Sequence, residues 1–311
     1  MVERNRYYSI IVLNRFTVYC FLFLLSRLAF SQSHADAFLT PSDSLVVSKR
    51  NTVVVTEASL ATLSLIGLNQ LWYANYPHSN LHTVNDNQEW LQMDKMGHMY
   101  SSYHMGSIGA NALKWSGASR KSQLCYGATL GLAFMTTVEV FDGYSSQWGF
   151  SWGDMAANAT GTALFVSQEL LWKEQRIVPK FSFHTTQYAS QRPEVLGTSL
   201  SQQILKDYNG QTYWWSCNVR SFFKEAPVPN WLNLAFGYGA DGMLSGNANS
   251  FPSEMTRTRQ FYLSLDVDLT KIKTNSHVLK SIFYLFNTIK IPAPSVEYKG
   301  GKGIICHAIS F

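Results

Sequence analysis

The residues best equipped for chemistry fall in three short stretches. DKMGHMYSSYHMG, residues 94 to 106, places Asp94 and His98 four apart; VEVFDGYSSQWGFSWGD places Glu139 and Asp142 three apart; MAANATG continues from Asp154 to Asn158, again four apart. On a helix, spacings of three and four put side chains on one face. Asp94, His98, Glu139 and Asp154 are therefore candidate catalytic residues and candidate metal ligands, because an imidazole and carboxylates suit a hard or borderline ion or a proton-transfer set. Asp142, Asn158, Trp148, Trp152 and Tyr103 are candidate binding residues, polar or aromatic groups able to hold an amphiphile or a glycan head group. His98 is the residue common to every functional reading. Against chemistry, no second histidine stands at ligand spacing, and the cations from Asp94 to just past Trp172 are Lys95, Lys114, Arg120, Lys121 and Lys173. That is a poor set for a phosphate.

Composition sets the frame for these residues. Of 311 residues, 46% are hydrophobic and 14% charged, well below the roughly 25% charged of ordinary soluble domains. The mean hydropathy of −0.08 is too low for a polytopic membrane protein, and an envelope protein with a membrane-facing part fits both values. The net charge of +5 comes with no basic tract, so nucleic acid is not an expected partner; membrane or envelope components are. MVERNRYYSIIVLNR followed by FTVYCFLFLLSRLAF has the form of a secretory signal over residues 1–31, with Ala29 and Ser31 placed for cleavage before Gln32. The alternative is an uncleaved anchor helix. Cys20, after Val18 and Tyr19 and without a polar start behind it, does not read as a lipoprotein box. Cys125, Cys217 and Cys306 then remain, an odd number without zinc spacing, compatible with one Cys217–Cys306 bridge or with free thiols.

The elements that must position the polar residues are mostly helices. A polar spacer over 32–51 leads into VVVTEASLATLSLIGLNQLWYANY, a long helix ended by Pro77, whose Glu57, Asn69 and Gln70 suit lipid poorly. Further helices are expected over 94–115, 123–141 and 152–172, the last begun by a capping box of Ser151 and Asp154. Gly106 and Ala110, Gly127 and Gly131, and Gly153, Ala157 and Gly161 recur at one-turn spacing and allow close helix packing. The expectation is a mainly α fold: a membrane-associated bundle of about four helices over 52–178, with a small antiparallel β unit within 179–311. In that last region RQFYLSLDVDL sets Phe261, Leu263, Leu265, Val267 and Leu269 on one face, and WLNLAFGYG does the same with Leu232, Leu234, Phe236 and Tyr238. GIICHAISF closes on an aromatic, as outer-membrane barrels often do, but the strands expected are too few for a barrel of eight.

DKxGHxxxxY, then a Gly-rich helix ending in ExxDGxSxxWGFSxxDxxxNxxG, resembles the YfiM-type family of uncharacterised periplasmic proteins over residues 94 to about 172. More distantly, the order DKxxH, E and SxxDxxxNxxG is similar to the VanZ-like membrane family linked to envelope polymers, although Asp142 replaces an expected Gln and Trp148 an expected Arg. The first resemblance implies an envelope protein with no assigned reaction and no known cofactor. The second implies, as an alternative, a hydrolase or transferase acting on a lipid-linked substrate. Beside both stands a plain structural reading, in which the buried charges pair with one another and fix helix register.

Overall fold

The computed structural model describes residues 34–74, 76–247 and 256–310. The secretory-signal reading, including the Gln32 site and Cys20, lies outside them. The chain divides into two units. In the smaller, Met1–Thr40 with Lys273–Phe283, the Asp36 carboxylate accepts hydrogen bonds from Ser276 Oγ (2.9 Å) and Val278 N (2.7 Å) at the start of helix His277–Phe286. The larger, Pro41–Ile272 with Tyr284–Phe311, carries everything that follows.

Its long helices are α1 (Val47–Leu68, extended by a π-helical turn to Tyr73), α2 (Met93–Trp115), α3 (Leu130–Gly143) and α4 (Trp152–Trp172), with several helices of three to seven residues between them and the strands. They do not make the expected four-helix bundle. Helices α2, α3 and α4 pack on one another, whereas α1 buries Val53 and leaves Val54, Val55, Leu60, Leu63 and Ile66 exposed. The close approach of α2, α3 and α4 depends on glycine. A Cβ at Gly131 or Gly161 would run into the α2 backbone at Ser102 or Met99. Gly106 and Gly109 meet Ala128 and Gly127, at the end of a π-helical turn (Gln123–Gly127) that leads into α3, in the same way.

The second correction is the β region, which is a six-stranded antiparallel sheet and not a small appendage. It runs β3 (Ile177–Phe183), β4 (Gln211–Asn218), β5 (Leu232–Asp241), β6 (Thr258–Val267), β7 (Ala293–Lys299) and β8 (Gly303–Ser310), each hydrogen-bonded to the next. The missing strands have physical reasons. β4 is buried on nearly every residue and so lacks alternation, and β3 contains Pro179, which reads as a breaker. In the sheet Pro179 is opposite Trp215, and its carbonyl accepts a hydrogen bond from His104 Nε2 (2.7 Å), which docks α2 on β3. Burial holds the His104 imidazole well below its ordinary value, at about 4, so it is a neutral packing residue. Cys217 on β4 and Cys306 on β8 are free thiols with three strands between them. A two-stranded parallel ladder of β1 (Thr83–Val84) and β2 (Phe150–Ser151) completes the fold.

On β3 and β4 one sheet face packs Phe181 and Tyr213 against Tyr100 of α2, but over β5–β8 the same face is open and the sheet has an inverted polarity. Register stacks Phe236 beside Leu263 and Val296, and Phe261 beside Tyr298 and Ile304, and all of these side chains are exposed. The other face is polar and buried: Lys180 Nζ lies 2.7 Å from Asp266 Oδ2, Ser216 Oγ donates to the same oxygen (2.6 Å), and Asn233 Nδ2 donates to Ser216 Oγ (2.8 Å). Lys180 and Asp266 are essentially inaccessible.

Replacement of Gly161 by Val tests the helix packing. Overpacking against Met99 is expected to cost on the order of 1–3 kcal/mol, read as a lower denaturation midpoint with an unchanged slope.

Candidate functional site

Helix α2 opens with an unusual entry. Trp90, Leu91 and Gln92 occupy the left-handed region in succession (φ 47°, 50° and 66°) before Met93 begins the helix. Such a run is held only by its surroundings. Here Trp90 N bonds to Gly246 O (2.9 Å), Tyr238 OH donates to Leu91 O, and Arg259 donates to Gln92 Oε1 (2.7 Å). The turn fixes where Asp94, Lys95 and His98 project.

His98 is 9% exposed. Its Nδ1 lies 3.1 Å from Asn158 Oδ1 and 3.6 Å from Glu139 Oε1, both acceptors, so the proton belongs on Nδ1. Its Nε2 points the other way, 3.8 Å from Asp94 Oδ1, too far for a hydrogen bond. Ligand atoms of Asp94, His98 and Asp154 all lie within 4.8 Å of one another. Asp154 is held at the start of α4, where its N–H bonds to the Ser151 hydroxyl (3.2 Å), the cap expected from the sequence. Glu139, fully buried, comes from α3 and accepts from Ser151 N (3.0 Å). Glu139 Oε1, Asp154 Oδ1 and Asn158 Nδ2 are buried without a hydrogen bond. Asp154 Oδ1 does have the Lys95 ammonium 3.0 Å away as an ion pair.

Three partners come from places the sequence did not mark. Asp86, in a loop that reads as plain polar linker, is carried in by the β1–β2 ladder, where it takes the Ser151 hydroxyl (2.6 Å) and the Lys95 ammonium (2.7 Å). Tyr208 donates to Asp94 Oδ1 (2.7 Å) and Tyr73 to Asp142 Oδ1 (2.8 Å). A two-residue ladder and two tyrosines distant in sequence leave no periodic signal. Of the aromatic candidates, Tyr103 is buried against Phe165 and donates to Gln175, Trp148 packs edge-on with Tyr73 and Tyr76, and Trp152 is exposed beside Phe150. They do not line the space between Asp94, His98 and Asp154. A cavity of about 110 Å³ bounded by Asn69, Tyr73, Tyr76 and Phe141 shares Tyr73 with the cluster.

Carboxylates outnumber cations here: Asp86, Asp94, Glu139, Asp142 and Asp154 stand against Lys95 and His98. Burial, reinforced by Asp94, pushes the Asp154 carboxyl up to about 7. Burial alone would lower His98, but Asp94, Asp154 and Glu139 outweigh it and raise its pKa above the ordinary histidine value.

Residues 84–169, which include the whole set except the two tyrosines, match the family model described as "Predicted periplasmic lipoprotein (DUF2279)". No curated protein and no solved structure matches the chain. The family match supports the envelope class and a domain of unknown function; it covers the stretch of the YfiM-type resemblance without confirming that family, and it offers nothing for VanZ-like activity.

A pH dependence follows. Asp154 binds its proton in the folded chain up to about pH 7 but, unfolded, releases it near 4. Its contribution is complete below pH 4 and is lost as pH rises to about 7. His98, raised, adds stability below about 6.5 that is lost as pH climbs through its folded pKa. Both slopes have one sign. In metal-free buffer the melting temperature should fall between pH 5 and pH 8, by the equivalent of about 2 kcal/mol or more, and Asp154→Asn should flatten that decline.

Proposed function

We propose that the protein is a membrane-associated envelope protein whose exposed sheet face and first helix lie against lipid, holding the acidic cluster beside the bilayer. The observation that supports this best is the inverted sheet. A sheet in water turns its apolar side inward; one facing lipid turns it outward and keeps polar groups inside. Phe236, Leu263, Val296 and Ile304 form the outward side, and Lys180, Ser216, Asn233 and Asp266 the inward one. Exposed Arg259 and Lys302 stand near the β7–β8 end of that face, beside Tyr298 and Phe261, the charge that anionic head groups attract.

Two helical stretches, Val47–Tyr73 and Arg120–Gly143, are long and apolar enough to cross a membrane. Glu57, near the middle of the first, has a buried carboxyl oxygen without a hydrogen bond, and a charge there is costly at mid-bilayer. Contact along the bilayer surface accommodates it better than a crossing. The cluster itself suits binding more than nucleophilic chemistry, because His98 is hydrogen-bonded to Asn158 and not to a hydroxyl or thiol. The hydrolase or transferase alternative has no comparable support.

Flotation of the full chain with vesicles containing an anionic phospholipid tests the reading. The protein is expected to float, and Leu263→Lys with Ile304→Lys should weaken partitioning by about tenfold or more, since each removes a buried aliphatic contact. A chain that stays monodisperse at the bottom of the gradient without detergent would refute lipid contact.

A further inference from the structure

We infer that Asp94, His98 and Asp154 form a binding site for one divalent transition-metal ion of the zinc or manganese class. This goes beyond lipid contact and does not depend on it. The case rests on the histidine as much as on the carboxylates. His98 Nδ1 faces Asn158 Oδ1 at 3.1 Å, the arrangement by which a metal-binding histidine gives its second N–H to an outer carbonyl and presents the other nitrogen to the ion. The presented nitrogen, Nε2, makes no hydrogen bond and is aimed at Asp94 Oδ1, 3.8 Å away, on a residue 9% exposed overall and 11% over its side chain. Buried Asp154 Oδ1 has the Lys95 ammonium, 3.0 Å away, as its ion-pair partner.

The spacing fits an ion after small adjustments. Donors about 2.1 Å from a common ion lie about 3.0–3.6 Å apart, whereas these lie within 4.8 Å of one another. One imidazole with carboxylates favours a borderline first-row ion over calcium, which takes six or more oxygens. Charge points the same way. Lys95 already sits 2.7 Å from Asp86 and 3.0 Å from Asp154, yet carboxylates remain in excess around it. An incoming ion would take Asp154 and Asp94, leaving Lys95 to Asp86. Glu139 is placed on the Nδ1 side of the ring, 3.6 Å away, so it orients His98 and is not a ligand. Asp94 is the partly exposed member, with 27% of its side chain accessible, and opens the site to solvent.

The test is calorimetric titration of the full chain, stripped with chelator, with zinc chloride and manganese chloride, and with calcium chloride as the contrast. One equivalent of zinc or manganese should bind, and calcium at least 100-fold more weakly. Asp154→Asn and His98→Ala should each weaken binding by 100-fold or more, and Asn158→Ala by about 10–100-fold, the usual cost of removing an outer partner. Should the site variants not fold, copper-loaded wild type decides, because its electron paramagnetic resonance spectrum must show nitrogen coupling from one imidazole. No binding by folded wild type, unchanged affinity in folded variants, or a copper spectrum without imidazole nitrogen would each overturn the proposal. Flotation of the same samples stays as in the metal-free protein, so a failure here leaves the lipid reading standing and the reverse.

Discussion

An excess of buried and half-buried carboxylates around one histidine is the constraint on which the helical half of this protein depends. Charges removed from water must be paired, hydrogen-bonded or neutralised, and each element contributes to doing so. The β1–β2 ladder brings Asp86 to Lys95, the capped start of α4 fixes Asp154 and lends Glu139 a backbone N–H, and Tyr208 and Tyr73 reach in to Asp94 and Asp142. The left-handed turn before α2 and the glycines that bring α2, α3 and α4 together are the geometric cost of that convergence. The arrangement remains incomplete, since Glu139 Oε1 and Asp154 Oδ1 still lack hydrogen bonds. The proposed cation would supply the positive charge that Lys95 alone does not.

The sheet solves a related problem with the opposite sign of environment. Its polar side chains are closed inward, where Lys180 and Asp266 pair, and over β5–β8 its aliphatic and aromatic side chains are turned outward, while on β3 and β4 α2 covers them. In water that surface would leave Phe236, Phe261, Leu263, Val296, Tyr298 and Ile304 exposed side by side. Against lipid it is unremarkable, and the same applies to α1, which gives up little of its surface to the rest of the chain. The outward apolar face and the acidic cluster are separate features carried by one unit.

Much of the cluster is legible in the sequence because helix periodicity is local. Asp94 with His98, and Asp154 with Asn158, each share a face whatever the rest of the chain does, and Ser151 announces the start of α4. The partners that come through long-range geometry leave no such trace: Asp86 sits in a polar loop, and Tyr208 lies more than a hundred residues from Asp94. Half of the sheet is hidden from the sequence for a similar reason. β5 and β6 alternate, with one face open, and are readable; β4 is covered on both sides and β3 carries a proline, so neither shows the period of two. A terminal bundle with a small β appendage is what remains when those strands are overlooked. Tyr103, Trp148 and Trp152 show the limit of composition, since aromatic residues near a polar motif in sequence need not point into it.

Anomalous diffraction from crystals of the full chain grown with zinc or manganese tests the central claim most directly. The account predicts one strong peak about 2.0–2.3 Å from His98 Nε2 and from a carboxylate oxygen of both Asp94 and Asp154, with Asn158 still on Nδ1. A cluster that stays empty at millimolar ion, or holds the Lys95 ammonium where the peak should be, would contradict it.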